Sequence, residues 1–307
     1  MVGYRAIARL APLALLAPCS AAAAADADYV VGNRYFAPTT ITDDPFVADS
    51  AYATVSRMRT GTLPNTDDTA AILAVSGRIT DRLGLEIEDG YHVVGQAGAA
   101  NADGFDNLAV ILKYQFVVSD AHELVLSGGV ERGFGGTGSD AIGADRVGAT
   151  APTFYFGKGM GDLPDGLAYL RPLAVTGLVA YEISDRRGTA RPDTLSPGLS
   201  LQYNLRYLEG NVRYLGLPEF VDRLTPIVEA AFDTPATRAP GGTTTGTVAA
   251  GLVYVGNSFD VAVEATWPAT RASGKGMGFA TLLRLRLDRL FHGPLLAGIG
   301  PRQEAMR

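Results

Sequence analysis

Apolar and polar positions alternate along most of this chain after residue 50. The clearest stretch is Leu199-Ser200-Leu201-Gln202-Tyr203-Asn204-Leu205-Arg206-Tyr207, apolar at every odd position and polar at every even one. A period of two puts successive side chains on opposite faces of a strand, so the two faces meet different surroundings. The pattern recurs over residues 51–60, 69–80, 83–95, 106–118, 123–133, 151–160, 171–183, 197–208, 224–234, 245–255, 259–268 and 277–290. Each segment is close to the roughly 9–11 residues that a tilted strand needs to cross a bilayer. Twelve is also an even number, as a bacterial single-chain barrel requires.

The connections sort by length. The odd-numbered ones are long and polar (61–68, 96–104, 134–150, 184–192, 234–244 and 268–276), whereas 81–82, 119–122, 161–166 and 256–258 are short. The exception is 209–223, a long stretch where a short turn is due, which holds either a small periplasmic helix or a miscounted strand. Aromatic residues sort with the connections: Tyr91, Tyr181, Phe232 and Trp267 lie beside the long ones, and Tyr114, Phe116, Tyr207, Tyr254 and Phe291 at the opposite ends. Amphipathic rings favour both faces of a membrane, so two girdles are expected of a barrel. A soluble β-sandwich alternates too, but has no reason to sort loops and rings by end. The fold expected is all-β: a single transmembrane up-and-down antiparallel β-barrel of about twelve strands over 51–291, porin-like, in the outer membrane of a Gram-negative envelope. Long connections are expected outside, and both termini in the periplasm.

The N-terminus fits export. Arg5 and Arg9 precede an apolar core from Leu10 to Ala17, and Ala21 to Ala25 supply a small-residue cleavage region. Residues 1–25 therefore read as a cleaved signal peptide, 26–50 as a periplasmic N-terminal segment, and 292–307 as a disordered periplasmic tail. The single cysteine, Cys19, leaves with the leader. Lipidation there is disfavoured by Pro18, which stands where a small residue normally precedes the modified cysteine. A mature chain without cysteine has neither disulfides nor a thiolate metal site. The net charge of −6 argues against nucleic acid as a partner.

Strand parity collects charge of both signs on the inward face. Arg78, Glu86, Glu88, Lys113, Gln115, Glu131, Glu182, Gln202, Asn204, Arg206, Glu229, Glu264, Arg284 and Arg286 are expected to line the lumen. They form either a solute-selecting pore or a cross-strand lattice, with Arg78 against the Glu86/Glu88 strand and Glu264 against Arg284 and Arg286. Nothing points to catalysis, a metal or a cofactor. Of the three histidines only His92 lies near the outer end, and no serine and orienting acid accompany it. Asp43-Asp44 and Asp67-Asp68 read as solvated loop carboxylates, and the glycine-rich 133–138 stretch lacks the Lys-Ser/Thr of a phosphate loop.

Several short motifs resemble one family of such barrels, the MetA-pathway-of-phenol-degradation transporters. They are Asp44-Pro45-Phe46, Gly104-Phe105-Asp106-Asn107-Leu108 leading to Lys113-Tyr114, Phe156-Gly157-Lys158-Gly159, and Leu217-Pro218-Glu219-Phe220. The family usually shows Gly-Asp where this chain has Asp106-Asn107. The resemblance implies a barrel that carries small solutes, hydrophobic or aromatic ones among them, and implies no site residues. The expected function is thus a channel or transporter. The alternative is a non-conducting structural or adhesive barrel working through its outer loops. Expected partners are outer-membrane lipids, lipopolysaccharide, the barrel-assembly machinery and an unidentified solute.

Overall fold

The computed structural model describes residues 29–60, 66–96, 100–186, 192–237 and 242–291. The expected leader and the expected tail lie outside these residues. Twelve strands form the wall: β1 (Ser50–Thr60), β2 (Thr66–Arg78), β3 (Leu83–Gln96), β4 (Ala109–Ser119), β5 (Leu124–Gly133), β6 (Ala149–Gly159), β7 (Leu173–Ser184), β8 (Thr194–Tyr203), β9 (Leu224–Pro235), β10 (Thr245–Val255), β11 (Phe259–Pro268) and β12 (Gly278–Arg286). Each pairs antiparallel with its neighbours in sequence, and β12 pairs with β1 from Phe279↔Arg57 to Arg286↔Ser50. Closure leaves the wall no free edge, which a bilayer demands because it offers backbone groups no water.

The alternation is inside-out. Leu73, Val75, Ile87, Leu112, Tyr114, Phe116, Phe154, Leu199, Leu201, Val228, Val263 and Leu283 face outward and are exposed, while Ser127, Thr176, Ser200, Gln202, Glu229 and Glu264 point inward and are buried. No soluble protein tolerates so continuous an apolar exterior, whereas lipid requires it. The long odd-numbered connections lie at one end of the barrel, the loop end; the described chain begins and finishes at the other, the turn end, where the connection after β8 is also long.

Two strands stop earlier than their patterns. β8 ends at Tyr203 because the Asn204 side chain accepts from Tyr207 N at 2.8 Å and opens a short helix, Leu205–Tyr207. Arg206 therefore stands exposed outside the lumen, and Tyr207 is buried rather than part of a girdle. β12 ends at Arg286, and Phe291 closes a short helix, Leu287–Phe291, instead of a strand. The long connection after β8 carries helical turns over Leu208–Val212 and Glu219–Asp222, so the count stays at twelve.

Candidate functional site

The segment before β1 does not sit in the periplasm as expected: residues 29–49 enter the barrel from the turn end, rise inside it and return to Ser50. A small hairpin, Val30–Val31 with Arg34–Tyr35, starts the climb. Tyr29, Val31, Phe36, Phe46 and Ala48 pack with Val125 and Ala174 of the wall, and Ala37 packs with Ile227, Val253, Ala262 and Leu282. These wall residues all have inward parity. Apolar side chains of this size contribute about 1.5–3 kcal/mol each when buried, which a watery lumen would forfeit. Glycine makes the space: a Cβ on Gly159 would lie 2.9 Å from Arg34 Nε, and one on Gly157 only 3.1 Å from Pro45.

Polar contacts fix the segment's height. Arg34 is fully buried. It donates to Glu123 at 3.1 Å, to the Pro172 carbonyl at 2.8 Å and to the Arg171 carbonyl, and its guanidinium lies 3.7 Å over the Tyr207 ring. Both groups of Ala37's main chain are read by the Gln202 amide, each at 2.9 Å. At the tip, Thr40, Ile41 and Thr42 donate main-chain N–H groups to the Glu229 carboxylate at 2.7, 3.2 and 3.0 Å. The Thr40 hydroxyl donates to Glu264, whose other oxygen has no hydrogen-bond partner among the described residues. Asp43 accepts from Lys113 at 3.0 Å and Asp44 from Arg284 at 3.3 Å. On the way back Ser127 donates to the Pro45 carbonyl, and Asp49 meets Arg78 at 2.9 Å.

The expected lumen residues thus divide. Arg78, Lys113, Gln202, Asn204, Glu229, Glu264 and Arg284 contact the N-terminal segment, the Asn204 amide reaching Tyr35 O at 3.4 Å. Arg286 donates to the Gly256 carbonyl and lies near Asp260, and Gln115 is buried on the inward face. Arg78 meets Asp49 rather than the Glu86/Glu88 strand, and Arg284 meets Asp260 and Asp44 rather than Glu264. The lattice is therefore tied through an inserted segment. Asp43 and Asp44 do not stand as free loop acids, because buried wall cations hold both.

A second group has another character. The register places Glu86 opposite Ile111, Ile111 opposite Glu131 and Glu131 opposite Ala151. Between β6 and β7 the ladder skips a step at Pro152, which has no N–H, and the flanking pairs Ala180↔Thr153 and Ile183↔Thr150 carry the row on to Glu182. Glu86, Glu131 and Glu182 therefore share one tilted row on alternate strands, about 10 Å apart. Glu86 and Glu88 accept from the Tyr52 hydroxyl at 2.8 and 3.0 Å. Glu131 and Glu182 have no hydrogen bond or ion pair among the described residues. Near the loop end His92 is held between Asp68 at 3.2 Å and Asp106 at 3.8 Å.

The roles of Arg34, Tyr35, Tyr52, Glu123 and Asp260 escape sequence reasoning because strand parity says nothing of an inserted segment. One signal was present: Val125, Ile227, Val253 and Leu282 are apolar at inward positions, and Tyr29, Phe36 and Phe46 crowd the stretch read as a periplasmic N-terminal segment.

No protein-family model matches the sequence, and no curated protein matches it. Solved structures do. An outer-membrane channel from Pseudomonas putida F1 aligns with a TM-score of 0.52 at 12% identity, covering 77% of this chain and 93% of that one. The NanC porin aligns at 0.48 with 9% identity over 77% and 98%, and LpxR from Salmonella typhimurium at 0.44 with 12% identity over 77% and 99%. At such identities the likeness speaks for architecture alone. The chain is a closed twelve-stranded antiparallel β-barrel of the outer-membrane kind.

Proposed function

We propose that this barrel is a non-enzymatic outer-membrane channel for small solutes, with its loop end outside, its turn end and both termini in the periplasm, and its N-terminal segment as a plug. The observation that carries the reading is the contrast along the axis: the plug's contacts hold Arg78, Lys113, Glu229 and Arg284, while Glu131 and Glu182 stay unpartnered among the described residues above it. Unpaired inward carboxylates cost desolvation and add nothing to stability, so a use in solute passage explains them better than a structural one. Negative charge at the mouth favours cations and disfavours anions.

The motif resemblance to the MetA-pathway family adds a cargo class of hydrophobic or aromatic compounds. The acidic row narrows it to neutral or positively charged members. The competing reading, a non-conducting structural or adhesive barrel, draws on the completeness of the plug's contacts. Planar-bilayer recording of the purified full chain separates the two. Discrete steps with a reversal potential favouring cations in a salt gradient are expected. Background current at all voltages, with no solute uptake into liposomes, would sink the channel reading.

A further inference from the structure

The outer surface of the wall carries an arginine site at the loop-end rim. Arg132 of β5 has outward parity, two residues beyond the exposed Val130, and so lies about 7 Å further along the strand. Val130 pairs with Pro152, and the exposed Tyr181 ring lies on the neighbouring strand; the next row, Arg132–Thr150–Ile183, is the margin of the apolar belt. There Arg132 donates to the Thr150 hydroxyl at 2.9 Å and, through both terminal nitrogens, to Asp185 at 2.8 and 2.5 Å. The main chain has been cleared for this pair: a Cβ on Gly148 would meet Arg132 Nη2 at 2.7 Å and Asp185 Oδ2 at 2.8 Å.

Over the pair lies a cleft of about 560 Å³ whose lining includes Arg132, Phe134, Arg146, Val147, Asp185 and Arg186. Arg146 holds Asp140 at 2.9 and 2.6 Å, and both side chains are largely exposed. Arg186 is exposed and has no partner among the described residues. Three guanidiniums therefore face two carboxylates, one cation is spare, and the two ion pairs are open enough to exchange partners. The hydrogen bond from Arg132 holds the Asp185 carboxyl below its ordinary range, so that acid stays charged and keeps the guanidinium oriented.

We propose that this cleft seats a phosphate group, and that its source is the phosphorylated headgroup of a glycolipid in the surrounding outer leaflet. Planar guanidiniums match phosphate oxygens two at a time, which gives the ligand class. Position gives the source: Arg132, on the lipid-facing surface at the margin of the apolar belt with Arg146 and Arg186 beside it, stands where headgroup phosphates lie. Phe134 and Val147 offer apolar surface to the lipid beside the charge. The proposal rests on the reading that the loop end faces outward, and its test involves no conduction, so the two fail separately.

The test is native mass spectrometry of the detergent-solubilised full chain with bisphosphorylated lipid A, with the same lipid after phosphatase treatment, and with inorganic phosphate. The intact chain should retain the phosphorylated lipid, and Arg132→Gln/Arg186→Gln should lose it by roughly tenfold or more, as expected for a charge-assisted hydrogen bond. Arg57→Gln, at a different exposed rim pair, should retain it. Should the double variant misfold, Arg186→Gln alone serves, since that side chain holds nothing in place, and weakened retention is again expected. Equal retention of the dephosphorylated lipid, or undiminished retention by the variants, overturns the proposal. Displacement of the lipid by millimolar inorganic phosphate overturns the lipid source and assigns the cleft to free phosphate.

Discussion

The two ends of the lumen are built on opposite terms. At the turn end Arg34, Arg78, Lys113, Arg284 and Glu229 each meet a group on the inserted segment or on a connection beside it. Toward the loop end Glu131 and Glu182 face inward with no hydrogen-bond or ion-pair partner among the described residues. The same wall therefore holds a network of paired charges and, above it, two inward carboxylates without a partner. Buried charge is stabilising only when its partners are in place, and removing one partner exposes the cost of the other. The turn end should thus answer mutation with lost stability and the loop end with altered selectivity.

The strongest attack on this contrast is Arg34→Ala. It deprives Glu123 of its arginine, leaving it the Gly161 N–H at 3.1 Å, frees two carbonyls and removes the guanidinium from the Tyr207 ring. Breaking a buried pair by removing one partner costs about 3–5 kcal/mol. Urea unfolding of the barrel in lipid vesicles should show a loss of that size, and Glu123→Gln added to it should recover part. A loss below about 1 kcal/mol, the range of an exposed pair, would mean that the turn end is not the rigid half.

A lock on the tip sharpens the contrast into a question of motion. The Cβ that Gly198 lacks would lie 3.4 Å from Thr42 Cβ, close to the separation a disulfide spans. In Thr42→Cys/Gly198→Cys the new cysteines would be the only two after Cys19. If the tip must leave Glu229 for solutes to pass, the oxidised form should conduct at least tenfold less than the reduced form. Equal currents in the two forms would show that the passage does not run through the tip. Lys113→Met, which frees Asp43, should act the other way and raise the open fraction severalfold.

How much of this was legible in the sequence follows from what a period of two can encode. It records which face of each strand meets lipid, so the twelve strands, their antiparallel order and the inward parity of residues such as Gln202 and Glu264 could be read directly. It does not record what fills the interior. Segment 29–49 has no period because each residue answers to a different wall strand: Ala37 to β8, Thr42 to β9 and Asp43 to β4. The ends of β8 and β12 were missed for a related reason. Leu205, Tyr207 and Leu287 keep the alternation going while an Asn204 cap or a helical turn has already ended the strand. The stretch Phe156-Gly157-Lys158-Gly159 was visible, but the purpose of its glycines, leaving room for Pro45 and Arg34, was not.

Smaller effects are expected at the loop end. Glu131→Gln/Glu182→Gln removes two inward charges that hold nothing in place, so unfolding should shift by no more than about 0.5–1 kcal/mol. The reversal potential should move toward zero as cation preference fades. An unchanged reversal potential would place the selecting charges elsewhere, and a large stability loss would mean that the row is structural after all.

The smallest effect belongs to the Arg57–Asp67 pair, 3.0 Å apart, with the arginine side chain 55% exposed. An ion pair this open gains little because water screens it and both long side chains must be ordered to make it. Arg57→Gln should therefore shift unfolding by less than about 0.5 kcal/mol and leave conduction untouched. A loss approaching that of Arg34→Ala would show that the exposed outer rim is tied as tightly as the buried turn end, and the contrast between open and buried charge pairs would then have no energetic basis.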